Sequence, residues 1–165
     1  MSARARRATY DEGVVMLPHV NLSKLFPAAY EAQLAAEKAA QEAVVTAGLD
    51  PLLVELVKIR ASQLNGCAFC LRMHTRDALE KGETADRLAL VAAWWESQYF
   101  TAQEQAALTL AERITRIGDE HTAPAPTVDI EGVLDEKQIA AIVLVAITIN
   151  TWNRFAVASH YPVAP

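Results

Sequence analysis

The chain has 165 residues, a mass of 18.0 kDa and 52% hydrophobic residues, enough for one ordinary domain with a sizeable core. Its net charge of -5 and pI near 5.4 argue against a nucleic-acid-binding protein, which needs clustered lysine and arginine. The longest apolar run, Ile139 to Ile149, is shorter than the roughly 20 residues that cross a bilayer, so no membrane span is predicted.

Residues 1–26 are predicted to form an irregular N-terminal arm. The basic cluster of Arg4, Arg6 and Arg7 has no apolar segment after it, so the sequence does not predict a secretory signal. A cytoplasmic location is therefore the expectation. In that compartment a close cysteine pair is more often catalytic or metal-binding than structural.

Two helices are predicted next from the residues at their ends. The first runs from about Pro27 to Ala47 and is capped by Gly48. The second begins with Asp50 as its N-cap and Pro51 in its first turn, where the missing proline N–H would be unpaired in any case.

The second helix has a helical apolar pattern and ends at a turn signal. Its predicted core-facing stripe is Leu52, Leu53, Leu56, Val57 and Ile59. The Asn65-Gly66 pair breaks this helix, and a third helix starts near Cys67 and ends at Gly82. Cys67 is thereby placed at a helix N-terminus.

Capping signals also organise the second half of the chain. Thr84 opens a segment whose core-facing residues are predicted to be Leu88, Val91, Trp94 and Trp95. Thr101 and Glu104 form a capping box for a helix whose apolar residues are Leu108, Ala111, Ile114 and Ile117. A loop follows at 122–127, and Asp135 with Gln138 opens a last helix that extends to about Ala158.

These elements predict a single all-α domain over residues 1–165, built as a bundle of about six helices. No repeat, low-complexity tract or linker divides the chain. The last helix is apolar nearly all round from Ile139 to Ile149, which a surface helix would not tolerate. We therefore expect it to be central or to lie at the interface of a homo-oligomer.

One segment carries residues typical of catalysis. Glu55 is followed by Cys67, Cys70 and His74 in the pattern E-x11-C-x2-C-x3-H, and these are the only two cysteines in the chain. Neighbours three or four apart on a helix share a face, so Cys67 faces Cys70 and Cys70 faces His74. Their Cβ spacing, roughly 5 to 6 Å, exceeds the about 3.5 to 4.5 Å of a disulfide. The first turn must therefore tighten before a disulfide can form.

Thiol chemistry at neutral pH requires a thiolate, and the position of this pair favours one. A free thiol is only a few per cent ionised near pH 7, but helix N-terminal amides and a nearby imidazole increase that fraction. An imidazole such as His74 can take and return a proton. Glu55 can orient His74 if the helices on either side of Gly66 pack side by side. The sequence thus predicts a dithiol redox site.

Two metal-based alternatives use the same residues. Zinc could be bound by both cysteines, His74 and Glu55, although three ligands on one helix would have to converge on one point. Haem attachment requires C-x-x-C-H, and Leu71 follows Cys70 here. We expect no metal and no cofactor. A non-catalytic helical oligomer that senses redox state or binds zinc stays an alternative.

Residues 66–74, Gly-Cys-Ala-Phe-Cys-Leu-Arg-Met-His, closely resemble the signature of the alkyl hydroperoxidase D-like group within the carboxymuconolactone decarboxylase-like superfamily. The preceding Ile-Arg-Ala-Ser-Gln-Leu-Asn at 59–65 belongs to the resemblance, and the stretch from Ile149 to Arg154 is similar to a second recurring segment. With residues 93–95 and 101–104, the resemblance covers the region 50–160.

The resemblance implies an all-α bundle that assembles as a trimer or a hexamer. It implies that Cys70 attacks a hydroperoxide, that Cys67 resolves the resulting sulfenic acid as a disulfide, and that Glu55 with His74 relays protons. A dithiol or a redox protein would then act as reductant. The alternative within the group is a protein disulfide reductase or redox adaptor that uses the same cysteines.

The sequence departs from the group at one position, because Phe69 stands where its best-known members have a histidine between the cysteines. The decarboxylase that names the superfamily has no such cysteine pair, which argues against decarboxylation here. Asn150, Asn153 and Arg154 are expected to fix helix ends or a subunit contact. His19, His121 and His160 receive no role.

Overall fold

The computed structural model describes residues 18–119 and 128–164, and over these residues the chain is helical with no strand. The helices are α1 (Leu22–Leu25), α2 (Pro27–Thr46), α3 (Pro51–Asn65), α4 (Ala68–Glu80), α5 (Ala85–Leu90), α6 (Ala102–Thr115) and α7 (Glu136–Ala158), with a 3₁₀ helix at Val91–Glu96. The all-α prediction is confirmed. The N-terminal arginine cluster, His121 and the predicted loop at 122–127 lie outside the described residues.

The helix starts predicted from local signals are present. The Asp50 carboxylate accepts a hydrogen bond from the Leu52 N–H at 2.8 Å. Thr101 and Asp135 each form a capping box with the residue three positions later. Because a cap satisfies a backbone donor within its own first turn, its signal is readable from a few consecutive residues.

Three local predictions were wrong. The arm contains the short helix α1, which Asn21 caps by accepting from the Lys24 N–H at 3.0 Å. Trp95 is 47% exposed, because the segment narrows to a 3₁₀ helix with a non-helical Ala93 and the expected periodicity is lost. Ile117 is 70% exposed, since α6 ends two residues before it.

Helix α3 lies at the centre of the fold and packs against α4, α6 and α7. The sequence predicts one apolar stripe on it, but its residues are buried on every side from Leu53 to Ser62. The buried set includes Lys58 and Arg60, each paired with a carboxylate from another helix. A charged side chain is tolerated at such a place only when it is paired.

Helix α7 is the predicted apolar helix, and it packs along α2, α3 and α6. It is long and apolar enough to cross a membrane by length and composition, yet half of its most apolar window is buried inside the fold. Leu144 and Ile147 remain exposed on its outer side. The trimer or hexamer stays a prediction.

The interior consists of separate apolar clusters, and the smallest one holds the dithiol. Its buried members are Ala61, Cys67, Cys70, Ile149 and Ala156, with Phe69, Trp152 and Tyr161 packed against them. The cluster joins the end of α3, the start of α4 and the C-terminal half of α7. The fold therefore places both cysteines in an apolar environment.

Candidate active site

The two cysteines meet because a glycine ends α3 and the chain turns at once into α4. Gly66 adopts the left-handed conformation with φ of 64°, and the Cys67 N–H returns to the Ser62 carbonyl at 3.0 Å. Cys67 is extended and serves as the N-cap of α4. Because Cys67 lies outside the helix, its Sγ approaches the Cys70 Sγ to 2.8 Å. This is how the first turn tightens.

The environment of the pair shifts the pKa values of the two thiols in opposite directions. The pKa of Cys67 falls to about 7, chiefly through the hydrogen bond from Cys70 and, against the cost of burial, through backbone N–H groups and the Asn153 amide. The hydrogen bond to Cys67, together with burial, raises the pKa of Cys70. The pair therefore gives up one proton and keeps the other on Cys70, so that Cys67 carries the resting negative charge.

Glu55 and His74 lie side by side, as the sequence predicts for packed neighbouring helices. The His74 Nδ1 is 2.9 Å from one Glu55 oxygen, and the Lys81 ammonium donates to the other at 2.7 Å. An ionised carboxylate only accepts, so the His74 Nδ1 carries the proton that it donates to Glu55. Burial alone would raise the pKa of Glu55, but the hydrogen bonds from His74 and Lys81 outweigh it and hold that pKa below its ordinary value.

A second, largely buried ion pair extends this charged network towards α2. The Lys58 ammonium donates to Glu37 at 2.9 Å, which links α3 to α2. Lys58 also lowers the pKa of Glu55 through its charge. Carboxylates and ammonium groups thus alternate along the wall of the site, and each charge has an opposite neighbour.

An apolar cavity of about 300 Å³ opens onto one of the two sulfurs. Its walls come from α2, α3, α4, α7 and the segment after α7, and its lining residues are Tyr30, Leu34, Glu37, Lys58, Phe69, Cys70, Met73, His74, Ile149, Trp152, Ala156 and Tyr161. Cys67 is not among them. A molecule in this cavity therefore meets Cys70 and His74.

A smaller opening reaches Cys67 from the other side of the pair. It is lined by the start of α4 and by residues around the end of α7, His160 and Val163 among them. His160 stacks against His19 with ring centroids 5.4 Å apart. His160 therefore stands near the dithiol within one chain, a placement that nothing in its sequence surroundings indicates.

Asn153 ties α7 to the dithiol. Its amide donates to Ser62 Oγ at 3.0 Å and accepts from Asn65 Nδ2 at 2.8 Å. The same amide acts to lower the pKa of both cysteine thiols. Asn150 accepts from the same Asn65 amide at 2.9 Å, and Arg154 donates to the Asn150 side chain at 3.0 Å. Asn150 and Asn153 thus hold Asn65, the last residue of α3, as expected for residues that fix a helix end. The alternative of a subunit contact stays a prediction.

The arrangement of possible metal ligands differs from the zinc alternative. Among the described residues, the group close enough to hold an ion is Glu55, His74 and Asp77, with ligand atoms within 4.8 Å of one another. Neither cysteine belongs to it. The Lys81 ammonium already occupies one Glu55 oxygen at 2.7 Å. The four residues of the zinc alternative are thus not brought to one point.

The structure joins all four predicted site residues into one region, as a sulfur pair, an acid–imidazole pair and a cavity shared by Cys70 and His74. Sequence reasoning missed Lys58, Lys81 and Tyr161 as parts of this site. Lys81 comes seven residues after His74, which is about two helical turns and therefore the same side of the helix. That spacing could have indicated Lys81. Lys58 stands three residues after Glu55 on α3, but nothing local to Tyr161 indicates its position.

Comparisons with known proteins agree with this architecture. A family model described as the carboxymuconolactone decarboxylase family matches residues 27–113. The uncharacterized protein YdfG of Bacillus subtilis (strain 168) is 43% identical over 104 residues, which are 63% of this chain and 71% of that protein. The uncharacterized protein YnjA of Escherichia coli (strain K12) is 36% identical over 64 residues, which are 39% of this chain and 35% of that protein.

A solved structure shows the same fold. ATU0492 of Agrobacterium tumefaciens, described as a protein of unknown function and a candidate antioxidant defence protein AhpD, superposes with a TM-score of 0.77 at 32% identity. The match covers 88% of this chain and 99% of that one. Because the family model matches half of the sequence and the solved structure has the same fold, the chain belongs to the carboxymuconolactone decarboxylase family and is an AhpD-type member of it.

Proposed function

We propose that the protein is a thiol peroxidase that reduces a small apolar hydroperoxide through a Cys67–Cys70 dithiol and disulfide cycle. The observation that carries this proposal is the apolar cavity of about 300 Å³, which leads to Cys70 and not to Cys67. With Cys67 1% and Cys70 2% exposed, a small molecule reaches the sulfurs more easily than the disulfide of a folded protein does.

The reaction begins with a proton transfer within the pair. Cys70 passes its proton to the Cys67 sulfur, 2.8 Å away, and its own sulfur attacks the terminal oxygen of the hydroperoxide. An S–O bond forms as the O–O bond breaks, so that sulfur is oxidised and the peroxide is reduced to an alkoxide. The alkoxide takes up a proton and leaves as an alcohol, with Cys70 as the sulfenic acid.

Disulfide formation completes the oxidation. Cys67 attacks the Cys70 sulfur, its proton leaves with the hydroxyl of the sulfenic acid as water, and an S–S bond forms. We assign the movement of this proton to His74, and two observations support the assignment: His74 lines the cavity together with Cys70, and Glu55 orients its ring. An external dithiol then reduces the disulfide and is itself oxidised to a disulfide.

A single-turnover comparison tests the proposal. Fully reduced protein is mixed with one equivalent of an alkyl hydroperoxide or, separately, of a small disulfide reagent, and thiol loss is followed in time. We expect the hydroperoxide to react faster and to consume two thiols per peroxide. Protein with both cysteines alkylated is the control. Faster reaction with the disulfide reagent would instead favour a disulfide reductase.

A further inference from the structure

Tyr161 occupies a position over the dithiol that neither the family match nor the sequence pattern assigns to it. It lines the apolar cavity together with Cys70 and His74, and it also lines the smaller opening on Cys67. Its ring meets Phe69, the residue between the cysteines, edge to face with centroids 5.1 Å apart. Tyr161 and Phe69 thus form part of the wall between the two openings.

The backbone holds Tyr161 in this place. His160 adopts a left-handed conformation with φ of 50°, and the Tyr161 N–H returns to the Ala156 carbonyl at 3.0 Å. A side chain at positive φ is uncommon and persists where surrounding contacts fix it. Here Ser159 accepts from the Leu22 N–H at 3.4 Å, which joins this turn to α1. The chain thus reverses after α7 and brings the Tyr161 ring back against the apolar cluster that contains both cysteines.

The phenol also interacts electrostatically with the reacting sulfur. Burial, the neighbouring Tyr30 and negative charge at Cys70 raise the pKa of Tyr161, while a hydrogen bond with Ser23 acts in the opposite direction. A group whose proton is held more tightly when Cys70 is negative stabilises that charge in return. The phenol therefore keeps its proton at neutral pH, as a hydrogen-bond donor requires.

Resting on the proposed peroxidase function, we infer that Tyr161 is a catalytic acid that donates the proton taken up by the departing alkoxide. In that step the Tyr161 O–H bond breaks as the alkoxide becomes an alcohol, and solvent returns a proton to the phenolate. The role complements His74, which serves the later, disulfide-forming step. Phe69 has no ionisable group, and the phenol packed on it borders the cavity that Cys70 lines.

The test is Tyr161→Phe, which keeps the ring that packs on Phe69 and removes only the hydroxyl. The first-turnover rate with tert-butyl hydroperoxide should fall about a hundredfold, the lower end of what a general acid contributes. With a peroxy acid the rate should stay near that of the wild type, because a carboxylate leaves without needing a proton. A purely structural role would slow both substrates alike.

Two control variants test whether the effect is specific to the Tyr161 hydroxyl. Tyr99→Phe removes an exposed phenol outside the cavity and should change neither rate. Tyr30→Phe removes the other phenol of the cavity, and a loss there with none in Tyr161→Phe would overturn the assignment. If the wild type reacts with the hydroperoxide and Tyr161→Phe matches it, this inference alone is wrong. If the wild type itself does not react, the proposed function fails and the inference falls with it.

Discussion

Replacing Cys70 with serine should abolish oxidation of the protein by hydroperoxide, lowering the rate of thiol loss by at least about a thousandfold, the scale seen when a covalent nucleophile is removed. The reason is access, because Cys70 lines the apolar cavity and Cys67 does not. The thiolate that remains at Cys67 in this variant lines the smaller opening on the other side of the pair and not the apolar cavity. Rapid-mixing measurement of thiol loss with one equivalent of hydroperoxide checks the expectation.

Cys67→Ser is the matched variant, and it should fail at the next step. Cys70 still reacts once, more slowly because the Cys67 sulfur that accepts its proton is absent, but no partner thiol is present to displace the hydroxyl of its sulfenic acid. We therefore expect a sulfenic acid that a trapping reagent labels on Cys70, with no catalytic turnover. Oxidation of Cys70→Ser at the wild-type rate, with Cys67→Ser inert, would exchange the roles of the two cysteines.

Asn153→Ala should affect both stability and the reactivity of the thiols. The change removes the partner of Ser62 and one partner of Asn65 in a buried network, which costs about 1–3 kcal/mol of the free energy of unfolding. It also removes an amide that lowers the pKa of Cys67. That pKa should therefore rise, and alkylation of Cys67 at neutral pH should slow.

Asn65→Ala provides the control that separates these two effects. Asn65 donates to Asn150 and Asn153 from the same network, and its amide is committed to those two oxygens. We expect a comparable loss of stability by denaturant unfolding, with little change in the alkylation rate of Cys67. Equal slowing in both variants would mean that Asn153 acts on the thiol through packing and not through its own hydrogen bond.

The parts of the fold that the sequence predicts are those encoded by neighbouring residues. Asp50, Thr101 and Asp135 mark helix starts because each cap bonds within its own first turn. Gly66 marks the break that carries Cys67 to the start of α4 for the same reason. The kink at Ala93 has no comparable signal, and the exposure of Trp95 was missed with it.

The candidate site likewise contains residues that local spacing predicts and residues that only helix packing brings in. Cys67, Cys70 and His74 are spaced within one turn or two, so their grouping follows from helix geometry. The burial of Lys58 depends on Glu37, which is 21 positions away along the chain. Asn153 reaches Ser62 across 91 positions. Contacts between residues so far apart in the sequence depend on how the helices pack. The periodicity along one helix does not encode that packing.

The measurement that tests the central claim most directly is the alkylation rate of each cysteine as a function of pH, with the labelled residue identified by mass spectrometry. We predict that Cys67 titrates with a pKa of about 7 and that Cys70 keeps its proton, and so stays unlabelled, across the neutral range. Labelling should then rise through pH 7 on Cys67 alone. Two cysteines that both titrate near the free-thiol value of about 8.5 would contradict the shared-proton dithiol.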